Sequence, residues 1–231
     1  MSYSRSPKDE ALYPLVSADV ALFSLVDGAL KVLLVQRAND PNRGHWALPG
    51  GVLDPGRDQS LEDTARRVLR DKTGLESVAY LTQVHTYGGP DRDPRGWSIS
   101  VLFYALLPHD QLRAVIGKKV EAVTWRDAAH LGRGLAFDHV EQIAEALARL
   151  RDTVGSRVLP LHLLPREFTL TELQSAVEMI LGVSLEKSAF RRRLKDDESL
   201  LPIAGAFQGG RQRPAQLYCA ADGFVFEKPR K

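Results

Sequence analysis

The sequence predicts an α/β domain, a mixed sheet flanked by helices, followed by a smaller domain of two helices and a hairpin. Three observations carry this. Strongly apolar, partly alternating runs recur between residues 15 and 107. Amphipathic helical stretches lie among and after them, which is how helices layered on a sheet read in a chain. The pattern then changes at about residue 155, beyond which two helices meet across a glycine-containing turn and two strands follow. A length of 231 residues fits one large domain or two small ones. We divide the chain into 1–155 and 156–231.

The elements follow in order. VSADVALFSLV and LKVLLVQR, joined by DGA, read as two paired strands. ANDPNRGH is a polar loop with turn residues at Asp40-Pro41 and Arg43-Gly44. WALPGGVL returns as one strand. Residues 60–73 form a helix with Ser60 as N-cap, Asp63 three residues on, and Gly74 as its stop. Its inward face is Leu61, Ala65, Val68, Leu69 and, at the margin, Lys72. VAYLTQVHTY and WSISVLFYALL are strands on either side of the charged loop GGPDRDPRG. AVTWRDAAHL reads as a short strand and a turn into a helix, and Asp138 opens the helix HVEQIAEALARLRDTVG. In the second domain Thr169 or Thr171 caps FTLTELQSAVEMILG, whose buried side is Leu173, Val177, Ile180 and Leu181. Gly182 ends that helix, Val183-Ser184 turns, and LEKSAFRRRLKDD is a second, basic helix. LLPIAGAF, QGGRQR and PAQLYCAAD then read as strand, glycine-rich turn, strand. Helix, turn, basic helix and hairpin together make a winged helix-turn-helix.

Composition excludes several classes. A content of 44% hydrophobic and 26% charged residues is that of a water-soluble chain. No apolar run reaches the ~18 residues of a membrane span. MSYSRSPKDEALYP lacks the apolar centre of a secretory signal. The single cysteine, Cys219, has no internal disulfide partner, which fits a reducing cytoplasm. Charge is unevenly placed. Residues 1–156 hold 19 Lys and Arg against 20 Asp and Glu, whereas 157–231 hold 12 against 9. Lys187, Arg191, Arg192, Arg193 and Lys195 cluster there, followed by Arg211 and Arg213, which points to a polyanion partner.

Residues 50–75 read GGVLDPGRDQSLEDTARRVLRDKTGL. This frame resembles the Nudix box, the loop-helix-loop signature of enzymes that cleave nucleoside diphosphates linked to another moiety. Anchored on Arg67, Leu69, Gly74 and Leu75, the carboxylate positions of the box fall on Gln59, Val68, Asp71 and Lys72, with two extra residues between Gly51 and Gln59. Val68, Asp71 and Lys72 stand at i, i+3 and i+4, on one helix face. A Mg²⁺ ion wants oxygen ligands in near-octahedral geometry. This face offers a hydrocarbon, one carboxylate and an ammonium, too little to hold the ion and activate water. We expect no catalytic residue, no metal ligand and no cofactor.

Over nearly its whole length the chain resembles the Nudix-related transcriptional regulators, the NrtR-like family. The resemblance rests on GHWALPGG at 44–51, DRDPRGWSIS at 91–100, LAFDH at 135–139, LLPREFTLTELQ at 163–174, FRRRL at 190–194 and GGRQRPAQLY at 209–218. It implies a Nudix fold joined to a C-terminal winged helix. It further implies a homodimeric repressor, most often of NAD synthesis or salvage genes, that binds a near-palindromic double-stranded operator. Its effector would be ADP-ribose, NAD or a related nucleotide. Some relatives control sugar catabolism instead.

For DNA binding the expected residues are Lys187, Arg191, Arg192 and Arg193 on the basic helix, with Arg211 and Arg213 in the wing. Three consecutive arginines fan around the helix, so one or two read bases and the others meet phosphates. Phe190 belongs to packing. For the ligand, Gly50 and Gly51 open the box loop. Arg37, Arg57, Arg92 and Arg95 are the candidate phosphate partners. Trp46 or Trp97 stacks on a base or else belongs to the core. Asp93 is a further ligand candidate, Asp138 and His139 hold the ribose or shape the pocket, and Asp138 reads equally as the N-cap of its helix. Two rival readings remain. One is a nucleotide pyrophosphatase whose metal ligands lie outside the standard box, with Glu62, Asp63 and Asp71 nearby. The other is an RNA-binding or protein-interaction module that senses no ligand.

Overall fold

The computed structural model describes residues 13–111, 120–156, 158–209, 214–224 and 226. Strand β1 (Leu15–Val26) turns into antiparallel β2 (Ala29–Arg37). Asp27 and Gly28 both take positive φ, 50° and 73°, the backbone whose twist matches a two-residue hairpin. The stretch expected as one strand at 46–53 is two. β3 (Trp46–Ala47) pairs with β2, and β4 (Gly50–Val52) pairs with β1. The reason lies between them. Pro49 has no N–H, and the Leu48 N–H leaves the ladder to donate to the His139 ring at 2.9 Å.

Helix α1 (Leu61–Thr73) begins as expected, with the Ser60 hydroxyl accepting the Asp63 N–H, and ends at Gly74 with φ 69°. Strands β5 (Tyr80–Gly89), β6 (Ser98–Leu106) and β7 (Val120–Asp127) complete a seven-stranded sheet. Its order is β3-β2-β1-β6-β5, with β4 added to β1 and β7 to β2, and β1 runs parallel to β6. Residues 128–138 form a loop rather than the expected turn into a helix; α2 (His139–Gly155) starts after it.

Alternation along the strands sorts the core into two faces. Ala18, Val20 and Leu22 of β1, with Val101, Phe103 and Ala105 of β6, pack on Ala65 and Leu69 of α1. Ala21 and Phe23, with Leu102, Tyr104 and Leu106, pack on Ile143, Ala146, Leu147 and Leu150 of α2. Each fully buried Val, Leu, Ile or Phe side chain here contributes about 1.5–3 kcal/mol, and each alanine less. A mixed sheet between helices is therefore the architecture, as expected.

The C-terminal part comprises β8 (Phe168–Thr169), α3 (Leu170–Leu181), α4 (Lys187–Arg193), β9 (Leu200–Gln208) and β10 (Ala215–Ala220). Its sheet order is β8-β10-β9. The two-residue β8 is too short to leave a pattern in sequence. Thr169 is the N-cap of α3, in a full capping box with Glu172. The buried stripe of α3 is Leu173, Ala176, Val177 and Ile180, with Leu181 only partly buried. α4 is shorter than the basic stretch, because the Glu186 carboxylate caps its start by accepting the Ser188 and Ala189 N–H groups. One hydrophobic cluster runs unbroken from β1 and β2 through α2 to α3, Phe190, Leu200 and Phe226. Arg151 of α2 donates to the Ile180 carbonyl at the end of α3, at 2.9 Å.

Candidate functional site

A cleft of about 240 Å³ opens where β1, β2, the β3–β4 corner and the 92–95 loop converge. The two glycines of the box loop are there for lack of room. A Cβ on Gly50 would stand 1.9 Å from the Asp19 Oδ1, and one on Gly51 would stand 2.8 Å from a Val68 methyl. Asp19, on the cleft wall, is only 7% exposed. The Ser100 hydroxyl donates to its Oδ2. His139 is buried, and its Nδ1 accepts the Leu48 N–H. The neutral ring therefore carries its proton on Nε2, which lies 3.8 Å from the Asp19 Oδ1. Burial pushes the His139 pKa down.

The cleft arginines differ in how they are held. Arg92 makes a bidentate pair with Asp138 at 2.8 and 2.9 Å and also donates to the Ser98 hydroxyl. Arg95 grips Asp93 at 2.6 Å, and this bond keeps the Asp93 carboxyl below its usual range. Arg37 donates to the Pro41 carbonyl at 2.7 Å and lies 4.8 Å over the Phe137 ring. Among the described residues no carboxylate lies within ion-pair distance of Arg37. Burial and the neighbouring Arg95 push its pKa down. Lys72 also lines the cleft.

Of the ligand residues expected from sequence, Arg37, Gly50, Gly51, Arg92, Asp93, Arg95 and His139 line this cleft. Four others lie outside its lining. Arg57 is exposed and 3.6 Å from Asp71. Trp46 packs against the core beneath the Arg126 guanidinium. Trp97 is 53% exposed, beside Gly88. Asp138 precedes α2 without a side-chain capping bond; its carboxylate holds Arg92 and accepts from Gln142 instead. Asp19, Ser100 and Phe137 were not singled out, although an aspartate within the apolar run ADVALF was a visible signal.

Asp58 was missed too. Arg67 donates to both its carboxylate oxygens at 2.6 Å and to the Val52 carbonyl at 2.9 Å. Thr64 and the Asp54 N–H complete its shell. The Arg67 bonds hold the Asp58 carboxyl far below its ordinary range. Gln59 is exposed.

At the other end of the molecule, Lys187, Arg191, Arg192 and Arg193 stand exposed on α4, anchored by buried Phe190 and Leu194. The Arg193 guanidinium lies 5.1 Å over the Phe190 ring. Arg211 and Arg213 lie outside the described residues.

Fold and sites together define a Nudix-type domain carrying a winged helix. Residues 16–150 match the NUDIX domain family, and residues 160–220 match the NrtR DNA-binding winged helix domain. The chain is 44% identical over 227 residues to the ADPR responsive transcriptional repressor NtrR of Acinetobacter baylyi, covering 94% of this chain and 86% of that one. It is 39% identical to Shewanella oneidensis NrtR, crystallised with a 27mer DNA, at a TM-score of 0.79 over 89% of this chain and 93% of that one. The NUDIX domain of the Shewanella protein, crystallised with ADP ribose, matches at 41% identity and a TM-score of 0.57, covering 63% of this chain and 94% of that one. An ADP-ribose pyrophosphatase of Methanocaldococcus jannaschii is 35% identical over 135 residues, 58% of this chain and 73% of that one. The chain belongs to the NrtR-type, Nudix-related transcriptional regulators.

Proposed function

We propose that this chain is a transcriptional repressor that binds a near-palindromic operator through α4. It releases the operator when ADP-ribose, or a related NAD-derived nucleotide, enters the cleft. The observation that carries this reading is the position of α2. Its N-terminal end holds the cleft, through Asp138 just before it to Arg92 and through His139. Its last turns hold the helix pair, through Arg151 to Ile180. Seventeen residues of helix, about 25 Å long, link the two without a break. The DNA and ADP-ribose bound by the Shewanella relative, and the ADP-ribose response of the Acinetobacter one, support the same assignment. A homodimer would set two α4 helices about one DNA turn, ~34 Å, apart. Coupling of ~1–3 kcal/mol would change operator affinity about 5- to 150-fold. The test is a gel shift of the full chain on the promoter DNA beside its own coding region. ADP-ribose releases the DNA if the reading holds, and unchanged affinity across ADP-ribose, NAD and related nucleotides refutes it.

In this reading the cleft binds its nucleotide and does not cut it. The residues at the Mg²⁺ positions of the box do not fit that ion. Val68 is buried with a methyl against Gly51, and Lys72 adds a positive charge. Asp71 stands 3.6 Å from Arg57 and 3.9 Å from Arg67. Similarity to the Methanocaldococcus pyrophosphatase favours the opposite reading. Incubation with ADP-ribose and Mg²⁺ or Mn²⁺ separates them: a regulator yields no AMP, a pyrophosphatase does.

A further inference from the structure

We propose that Asp19 is the effector's hydroxyl acceptor and Arg37 its phosphate anchor, so that the cleft recognises a sugar phosphate by two opposite charges. This assignment rests on the ADP-ribose reading above and says which groups of that ligand meet which residues.

Asp19 is more than nine-tenths buried, yet only one of its carboxylate oxygens has a hydrogen bond. Ser100 serves Oδ2. The nearest donor to Oδ1 is the His139 Nε2 at 3.8 Å, beyond hydrogen-bond reach. Oδ1 therefore faces the cleft with no protein donor in reach, and a ligand hydroxyl entering the cleft would supply one. The missing side chain of Gly50 is what leaves Oδ1 accessible, since any Cβ there would overlap it. The cleft wall carries Asp19, Asp40 and Asp93 against Arg37, Lys72, Arg92 and Arg95, and Asp93 is already tied to Arg95. A ligand ammonium would be repelled by those cations and a ligand anion by Asp19 itself. What remains is a neutral donor next to a negative group, as in a sugar hydroxyl beside a phosphate.

Arg37 meets the second requirement. Arg92 and Arg95 each have a carboxylate partner in bidentate contact, and Arg37 has none among the described residues. Its stacking on Phe137 and its bond to Pro41 fix the guanidinium in place without an ion pair among the described residues. The cleft, about 240 Å³, is smaller than the ~300–1,000 Å³ of sites that enclose a whole ligand. It therefore encloses part of a dinucleotide-sized effector, and the sugar-phosphate part matches the two residues.

Calorimetric titration of the full chain tests this with ADP-ribose, its analogues lacking single ribose hydroxyls, and its inosine counterpart. Wild-type protein loses about 10- to 100-fold in affinity for one deoxy analogue, the scale of one charge-assisted hydrogen bond. That arm needs no variant to fold. Asp19→Ala loses a similar factor for ADP-ribose and nothing more for that same deoxy analogue. Arg37→Met weakens every phosphate-bearing ligand. If every deoxy analogue binds wild type as well as ADP-ribose does, the assignment of Asp19 is overturned. It is equally overturned if the penalty follows the adenine amino group. Undiminished ADP-ribose binding by Arg37→Met overturns the assignment of Arg37. If wild type binds none of the ligands, the ADP-ribose reading itself has failed and this inference falls with it.

Discussion

Arginine serves the two ends of α2 in opposite ways. Around the cleft, Arg67, Arg92 and Arg95 are each fastened to an aspartate in two-pronged contact. On α4, Arg191 and Arg192 stand exposed with no carboxylate in reach among the described residues. Arg37 apart, the same planar cation is a structural strut in one place and an open charge in the other. A pre-set cleft suits a small, defined ligand, because little ordering is left to do on binding. An open basic helix suits a phosphate backbone, where salt-dependent attraction dominates and side chains adjust to find bases.

The contrast predicts where damage goes. Asp58→Asn removes the buried carboxylate from the Arg67 strut and leaves the partly buried guanidinium with only Asp71 at 3.9 Å and the Val52 carbonyl, at a cost of about 1–3 kcal/mol of folding stability. Thermal or urea unfolding measures it, and a loss under about 1 kcal/mol breaks the comparison. The pH dependence has a definite sign. The folded Asp58 carboxyl lies below its unfolded value of about 3.9, so its stabilisation is present above that pH and fades as acid is added. The Asn variant has a correspondingly flatter acid limb. Arg191→Ala leaves the melting temperature nearly unchanged and weakens operator binding by about 1–3 kcal/mol if Arg191 reads a base. If it meets a phosphate, the salt dependence of binding falls by about one counterion instead. Loss of folding in Arg191→Ala, with no loss of DNA affinity once refolded, would erase the distinction between the two arginine classes.

The link between the regions is the next point to sharpen. Arg151 places a cation on the C-terminal carbonyls of α3, where the helix dipole favours one. Arg151→Met keeps the length of the side chain and removes the donor. ADP-ribose affinity and operator affinity measured separately stay close to wild type, and the effect of one on the other shrinks by up to ~1–3 kcal/mol. Full retention of coupling shows that the shared hydrophobic core alone transmits it.

How much of this was legible beforehand follows from what sequence encodes. The β1–β2 hairpin, the caps of α1 and α3 and the burial of Phe190 were readable because each depends on residues close together in the chain. The break at Leu48-Pro49 depends on His139, 91 residues away. β8 exists only because β10 returns beside it. Asp138 has the right type and place for an N-cap, but a distant Arg92 claims its carboxylate. The cleft escaped in part for the same reason. Arg37, Arg92 and Arg95 look alike as letters, and only the fold shows which of them already has a partner.

Gln59 gives the smallest expected effect and the sharpest reading of the box. Counting residues back from Arg67 places the first carboxylate position on Gln59, one residue past the side chain that does the bonding. The loop explains the offset. Asp54 accepts the N–H groups of Gly56, Arg57 and Asp58, winding the inserted residues into a tight turn. That turn points Arg57 and Gln59 to solvent and Asp58 inward to Arg67. Gln59→Glu therefore adds a charge at an exposed position whose structural task is already filled. Its effect on stability stays within about 0.5 kcal/mol, as for other surface substitutions. It also yields no AMP from ADP-ribose with Mg²⁺, because Val68 and Lys72 still occupy the helix face that would have to gather the ion. Appreciable turnover by this variant would mean that a carboxylate at position 59 reaches the metal, and the distinction between a cleft that holds and a cleft that cuts would have to be drawn elsewhere.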